Sequence, residues 1–118
     1  MKRDYRLYID DLIEAIERIE KYAGGLSFEE FSRDTKTVDA VIRNFEVLGE
    51  AAKHIPRHIK NRYVALPWKE MAGMRDKLIQ EYFGIKLKIV WKTINKRLPQ
   101  LKRLLKEILK DIEAKGEF

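Results

Sequence analysis

The chain contains no cysteine, so disulfides and thiolate metal sites are both excluded. It has only two histidines, His54 and His58, too few for a histidine-rich metal centre. No apolar run reaches the ~18 residues needed to span a bilayer. The start, Met-Lys-Arg-Asp-Tyr-Arg, lacks the apolar core of a signal peptide. A soluble cytoplasmic protein without membrane association is expected. Prolines number three and glycines six, so each acts as punctuation between long uninterrupted stretches. Strand-like alternation, internal repeats and low-complexity segments are all missing.

The 118 residues suffice for one domain, 1–118, with a single core. A bundle this small often adds an oligomer interface. Charged residues make up 37% of the chain, with a net charge of +6. Abundant lysine and glutamate fit a heat-tolerant source. A pI near 9.5 permits contact with nucleic acid without demonstrating it. Much of the excess lies in one C-terminal run, Lys86, Lys88, Lys92, Lys96, Arg97, Lys102, Arg103, Lys106 and Lys110, interleaved with apolar residues. As a pattern, that run reads as the solvated face of a long helix.

Helical periodicity dominates. Tyr5, Ile9, Leu12, Ile16 and Ile19 define a first helix from about Asp4 to Tyr22, ended by Gly24-Gly25. Ser27 with Glu30 forms a capping box for a short helix carrying Phe28 and Phe31. Val38, Val41, Ile42, Phe45, Leu48, Gly49 and Ala52 mark a helix from about Thr37 to Ile55, closed by Pro56. Gly49 within that face suggests a close helix crossing. Residues 57–66 read as a connector with room for one helical turn. Pro67 suits the first turn of the next helix, which Gly84 ends. From Ile85 onward, Trp91, Ile94, Leu98, Leu101, Leu105, Ile108 and Ile112 keep one register through Pro99. A bent helix, not a reversal, is predicted there. The expected fold is all-α: an up-and-down bundle of four main helices plus a short helix, with the last bent at Pro99.

Arg75 is the anomaly. At about 100° per residue, Trp68, Met71, Ala72, Leu78, Ile79 and Tyr82 fall within roughly 60° of it. A guanidinium inside an apolar stripe needs a partner, because it cannot shed its charge and is costly to desolvate. That partner is either a carboxylate of a neighbouring helix, such as Glu46 or Glu50, or an anionic ligand at a cleft.

The segment Arg75-Asp76-Lys77-Leu78-Ile79-Gln80-Glu81-Tyr82 resembles the motif of the HEPN superfamily, and in particular its HepT-like toxin branch. There the pattern is Arg, four residues, His, one residue, Tyr. The flanks are similar too: Met71-Ala72-Gly73-Met74 before it, Tyr82-Phe83-Gly84-Ile85 after it, then Val90-Trp91 and Leu98-Pro99. Arg43-Asn44-Phe45-Glu46-Val47-Leu48-Gly49-Glu50-Ala51 looks like the second signature of that branch. The resemblance covers nearly the whole chain. It implies an all-α homodimer with a metal-independent endoribonuclease site in a cleft at the dimer interface. It also implies the toxin half of a toxin–antitoxin pair, silenced by an MNT-type nucleotidyltransferase that can add adenylate to the motif tyrosine. Carried over, Arg75 holds the scissile phosphate, Tyr82 is the adenylylation acceptor, and Asn44 and Glu46 support the site. RNA is the implied substrate, with tRNA one candidate, and no cofactor is implied.

The chain departs from the pattern at Gln80, where the family has histidine. Histidine can move a proton near neutral pH, whereas an amide only donates or accepts hydrogen bonds. Losing general acid–base help costs a factor of about 10²–10⁴. The nuclease is therefore expected to be inactive or severely impaired as written. Gln80 is either natural or introduced, and the sequence does not distinguish the two. The alternative function is a non-catalytic helical dimer that docks a nucleotidyltransferase and binds nucleotide or RNA. Around an ideal axis Gln80 lies about 140° from Arg75, so either the helix distorts near its end or the opposite protomer completes the site; the second is expected, because it also explains the dimer that the resemblance implies.

Other residues carry rival readings. Glu46 and Glu50 could pair with Arg43, Lys53 or Arg75. Asn44 could meet a phosphate or bond across the helix pair. His54 and His58 have the i, i+4 spacing of a zinc pair, but no third ligand is evident, and no metal is expected. Trp91 falls on the apolar stripe as a core residue.

Overall fold

In the computed structural model, residues 4–83 and 86–116 are described, leaving aside the side chains of Arg75 and residues 77–83. The expected contributions of Leu78, Ile79 and Tyr82 to the apolar stripe, and of Gly84 to ending the helix, lie outside the described residues.

The first helix, α1, spans Tyr5–Ala23. Asp4 caps it, accepting the Arg6 backbone N–H at 2.9 Å and the Arg6 guanidinium at 2.7 Å. Ile9, Leu12, Ile16 and Ile19 are fully buried, as their spacing predicts. The chain then turns on two glycines. Gly25 has φ +79°, and a Cβ on Gly24 would lie 2.8 Å from the Glu20 carbonyl oxygen. The capping box forms as expected: Glu30 N–H donates to Ser27 Oγ at 3.1 Å, and Ser27 N–H donates to Glu30 Oε1 at 2.9 Å. It opens α2, Phe28–Arg33.

Helix α3 spans Thr35–Lys53, two residues earlier at each end than its apolar pattern suggests. Asp34 fixes the start by accepting the Thr37 N–H at 3.1 Å and the Thr37 hydroxyl at 2.7 Å. The end comes early because a residue before proline disfavours helical backbone, which removes Ile55 ahead of Pro56. The connector is then a helix in its own right, α4, Arg57–Arg62. The Pro56 carbonyl accepts from both Ile59 and Lys60 N–H at 3.1 Å, and the fully buried Ile59 pins the turn to the core. Helix α4 is thus a short helix additional to the one that was expected.

Helix α5, Trp68–Phe83, begins with Met71 N–H donating to the Pro67 carbonyl at 3.0 Å, so Pro67 stands immediately before the first turn and not within it. Trp68 is buried, and its indole N–H donates to the Tyr63 carbonyl at 3.0 Å.

The last helical region is α6, Leu87–Lys92, a widened turn over Thr93–Arg97, and α7, Leu98–Lys115. The bend therefore sits one turn ahead of Pro99. Pro99 has no N–H, so the Asn95 carbonyl lacks its usual donor four residues on. The ladder shifts instead, and Leu98 N–H reaches the Thr93 carbonyl five residues back. Two side chains bond backward within this stretch, Thr93 Oγ1 to the Ile89 carbonyl and Asn95 Nδ2 to the Trp91 carbonyl, each at 2.9 Å. The predicted register survives: Ile94, Leu98, Leu101, Leu105, Ile108 and Ile112 are all buried. Trp91 is half-buried, 5.0 Å ring to ring from Phe31.

In three dimensions α1 packs against α3, α3 against α5, and α7 returns along α1. Lys102 meets Glu20 at 2.6 Å, Lys106 meets Glu17 at 3.4 Å, and Glu113 lies near enough to Arg6 and Asp10 to shift their charge equilibria. α1 and α7 are therefore antiparallel. These pairs correct the reading of the C-terminal basic run as a purely solvated face, since two of its lysines fasten α7 to α1. Among the described residues there is no strand, and no helix is long and apolar enough to cross a membrane.

Tyr63, at the end of α4, donates its hydroxyl to the Asp111 carboxylate on α7. That bond, helped by Lys115, holds the Asp111 carboxyl below its ordinary range. A carboxylate whose folded pKa is depressed adds stability above its unfolded pKa and loses it as pH falls through the folded value. Asp111→Asn is expected to lower the melting temperature by a few degrees at pH 7. The gap to the parent should close as pH drops from about 4 downward, as followed by circular dichroism.

Candidate functional site

The motif residues share one helix. Positions 75, 80 and 82 all lie on α5, with Gln80 ~7.5 Å and Tyr82 ~10 Å further along the axis than Arg75 at 1.5 Å per residue. Trp68, Met71 and Met74 are buried, and position 75 falls between Trp68 and Met71 in azimuth on ideal geometry. The roles expected of Arg75, Gln80 and Tyr82 rest on side chains outside the described residues.

Helix α3 packs directly on α5 and carries the second signature. Its two candidate residues part company. Asn44 is the one buried polar residue among those described, and its Nδ2 donates to the Ala40 carbonyl at 2.9 Å. It bonds back onto its own helix, where a bond across the pair was one expectation. Glu46 faces another way, into a cleft of about 300 Å³ between α1 and α3, lined in part by Tyr8, Asp11, Arg43, Glu50 and His54. There Arg43 pairs with Glu46 at 3.3 Å, while Glu50 pairs with Lys53 at 3.6 Å. Both pairings were among those the spacing allowed.

The histidines do not form an i, i+4 pair on one helix, because Pro56 separates them. His54 caps α3 and stacks on Tyr8, ring centroids 5.0 Å apart. His58 lies in α4, edge-on to Tyr5 at 5.9 Å. Among the described residues no group of three His, Asp or Glu side chains is placed to hold a metal ion.

A second cavity, about 330 Å³, opens between α5 and the widened turn. Glu70 and Met74 line it from α5, Ile89, Lys92, Thr93, Lys96 and Arg97 from the last helical region, and Gln100 from α7. Arg97 is held on three sides. Its Nε and Nη2 donate to the two Glu70 carboxylate oxygens at 3.1 and 2.9 Å, and its Nη1 donates to Gln100 Oε1 at 3.1 Å. The Glu70 bond raises the Arg97 pKa further above its ordinary value. Sequence reading missed this pair and the His54–Tyr8 stack. Glu70 and Arg97 are 27 residues apart, and no local spacing links them.

A small all-α domain results, with its motif helix flanked by a basic groove. A family model described as "Ribonuclease HepT-like" matches residues 12–108. A protein named "Probable ribonuclease HepT" from Thermococcus cleftensis is 46% identical over 110 residues, 93% of this chain and all of its own length. A "Putative RNase" from Caldanaerobacter subterraneus is 42% identical over 104 residues, covering 88% of this chain and 93% of that protein. The chain belongs to the HepT-like ribonuclease family. In one relative from Methanocaldococcus jannaschii, named "Gamma-glutamylcyclotransferase and putative RNase", the 37% identical match takes up 51% of the protein. No solved structure matches the chain.

The burial of Asn44 and the exposure of the Glu46 pair predict different costs. Asn44→Ala is expected to cost about 1 kcal/mol of unfolding free energy. Glu46→Gln is expected to cost under about 0.5 kcal/mol, as a screened pair should. Urea denaturation of both variants beside the parent measures the difference.

Proposed function

We propose that this chain is the toxin-type component of a toxin–antitoxin pair, built on a metal-independent endoribonuclease scaffold and disarmed by Gln80. The observation that carries the reading is a ribonuclease family match over residues 12–108, combined with glutamine at the one motif position that must move a proton. Arg75 is the cation for the scissile phosphate. In strand cleavage the 2′-hydroxyl loses a proton as its oxygen attacks phosphorus, and the departing 5′-oxygen gains one. A guanidinium stabilises the charge that builds on the phosphoryl oxygens but takes no part in those transfers. An amide at position 80 can orient either group and cannot exchange protons at neutral pH.

The partner in this reading is an MNT-type nucleotidyltransferase antitoxin, and Tyr82 is the residue it adenylylates. Two protomers complete the site, because positions 75 and 80 diverge around α5. Asn44 supports the site indirectly by stiffening α3, and Glu46 acts from the α1–α3 cleft. Gln80 itself favours a second reading, in which the dimer no longer cuts and serves to dock the nucleotidyltransferase and bind nucleotide or RNA.

Restoring the histidine decides between the two. Gln80→His is expected to cleave total RNA or tRNA in EDTA at least about 100-fold faster than the parent, the lower end of what acid–base help supplies. Adding Arg75→Ala should abolish that gain. Silence from a folded Gln80→His protein, with partner binding intact, would establish the docking reading instead.

A further inference from the structure

The basic groove beside α5 has no role in the function just described. Its composition is specific. Lys92 and Lys96 stand about one helical turn apart on the rim, and neither has an ion-pair partner among the described residues. Arg97, beside them, is held in place by Glu70 and Gln100. The apolar part is Met74, buried, and Ile89, 37% exposed. Cations along an edge with an apolar patch beside them match a single nucleic-acid strand, which offers a phosphate at every step and a base face between phosphates. An apolar partner would leave the two lysines desolvated and unpaired, and duplex would hide the base faces.

We propose that this groove, between α5 and the Thr93–Arg97 turn, is a subsite for single-stranded RNA. Lys92 and Lys96 contact backbone phosphates, and a base rests against Ile89. The proposal rests on the ribonuclease-type reading for its choice of RNA. Glu70 gains a role from it: its two carboxylate oxygens occupy the guanidinium fork of Arg97 as a phosphate would. Arg97 is thus already occupied by an internal anion, and a strand phosphate must compete with Glu70 for it. Ile89, Lys92, Thr93, Lys96, Arg97 and Gln100 recur at three- and four-residue spacing, so one side of the last helical region forms the groove's wall.

Fluorescence anisotropy with a short, labelled, unstructured single-stranded RNA tests this on the full chain with Gln80 in place, so that no cleavage intrudes. Lys92→Ala and Lys96→Ala are each expected to weaken binding about three- to tenfold at low salt, and to reduce the salt slope by ~0.7 for each lost phosphate contact. Glu70→Gln is expected to tighten binding severalfold by freeing Arg97. Arg103→Ala and Lys110→Ala remove the same charge from a separate cavity further along α7, bordered also by Lys102 and Lys106, and are expected to change affinity less than about twofold. Melting temperatures confirm that every variant is folded. If the Arg103 and Lys110 variants weaken binding as much as the groove variants, the charge acts collectively and the subsite is disproved while RNA binding stands. If the groove variants bind as the parent does and Gln80→His still cuts RNA, the subsite falls and the ribonuclease reading survives. If the parent binds no RNA, the subsite falls with the reading it rests on.

Discussion

Everything in this fold depends on α3 being covered on two sides. Val38, Val41, Ile42, Asn44, Phe45, Leu48, Gly49, Ala51 and Ala52 are all buried, an arc of about half the helix and too wide for one neighbour. Helix α1 takes one flank and α5 the other. The remaining side carries a polar strip, on which Arg43, Glu46 and Glu50 fall within about 60° of one another. The charged residues of the signature are thereby confined to the α1–α3 cleft. Asn44 lies outside the strip, and with water excluded it must find a bond inside the protein, which the Ala40 carbonyl supplies. The same packing seats the motif helix against α3 and so fixes how its positions are presented.

Much of this was legible in the chain. Apolar spacing gave α1, α3 and the α7 register, because helix burial is a local pattern repeated many times. The capping box was legible because both of its bonds lie within three residues. The six-residue α4 was not, since a single buried isoleucine carries no periodicity. Pro99 showed that a bend was needed but not where, because the lost bond can be absorbed anywhere in the preceding turn. The site was half legible. Composition and register singled out Arg75, and the resemblance to a family supplied its context. The pairing of Arg97 with Glu70 depends on how two distant helices meet, which no window of sequence contains.

The basic character of the chain divides into unlike parts. Lys102 and Lys106 neutralise α1 carboxylates and act as structural fasteners, with modest energies expected of partly exposed pairs. Arg97 is held by Glu70 and Gln100 in a set geometry. Lys92 and Lys96 stand at a groove without such partners among the described residues. A net charge of +6 therefore says less about nucleic-acid contact than where the cations outside the internal pairs are located.

The antiparallel seating of α7 along α1 has an architectural corollary. Residues near 4 and near 116 come together at one corner of the bundle, since Arg6 and Glu113 are neighbours. A domain whose two ends leave from one place can be spliced into a host chain, or its ends joined and new ones opened at the α4–α5 turn, without unthreading the core. The 78% exposed Val64 marks that turn as a place to cut. The relative in which a matching segment takes up half of a longer protein shows such a module living beside unrelated sequence.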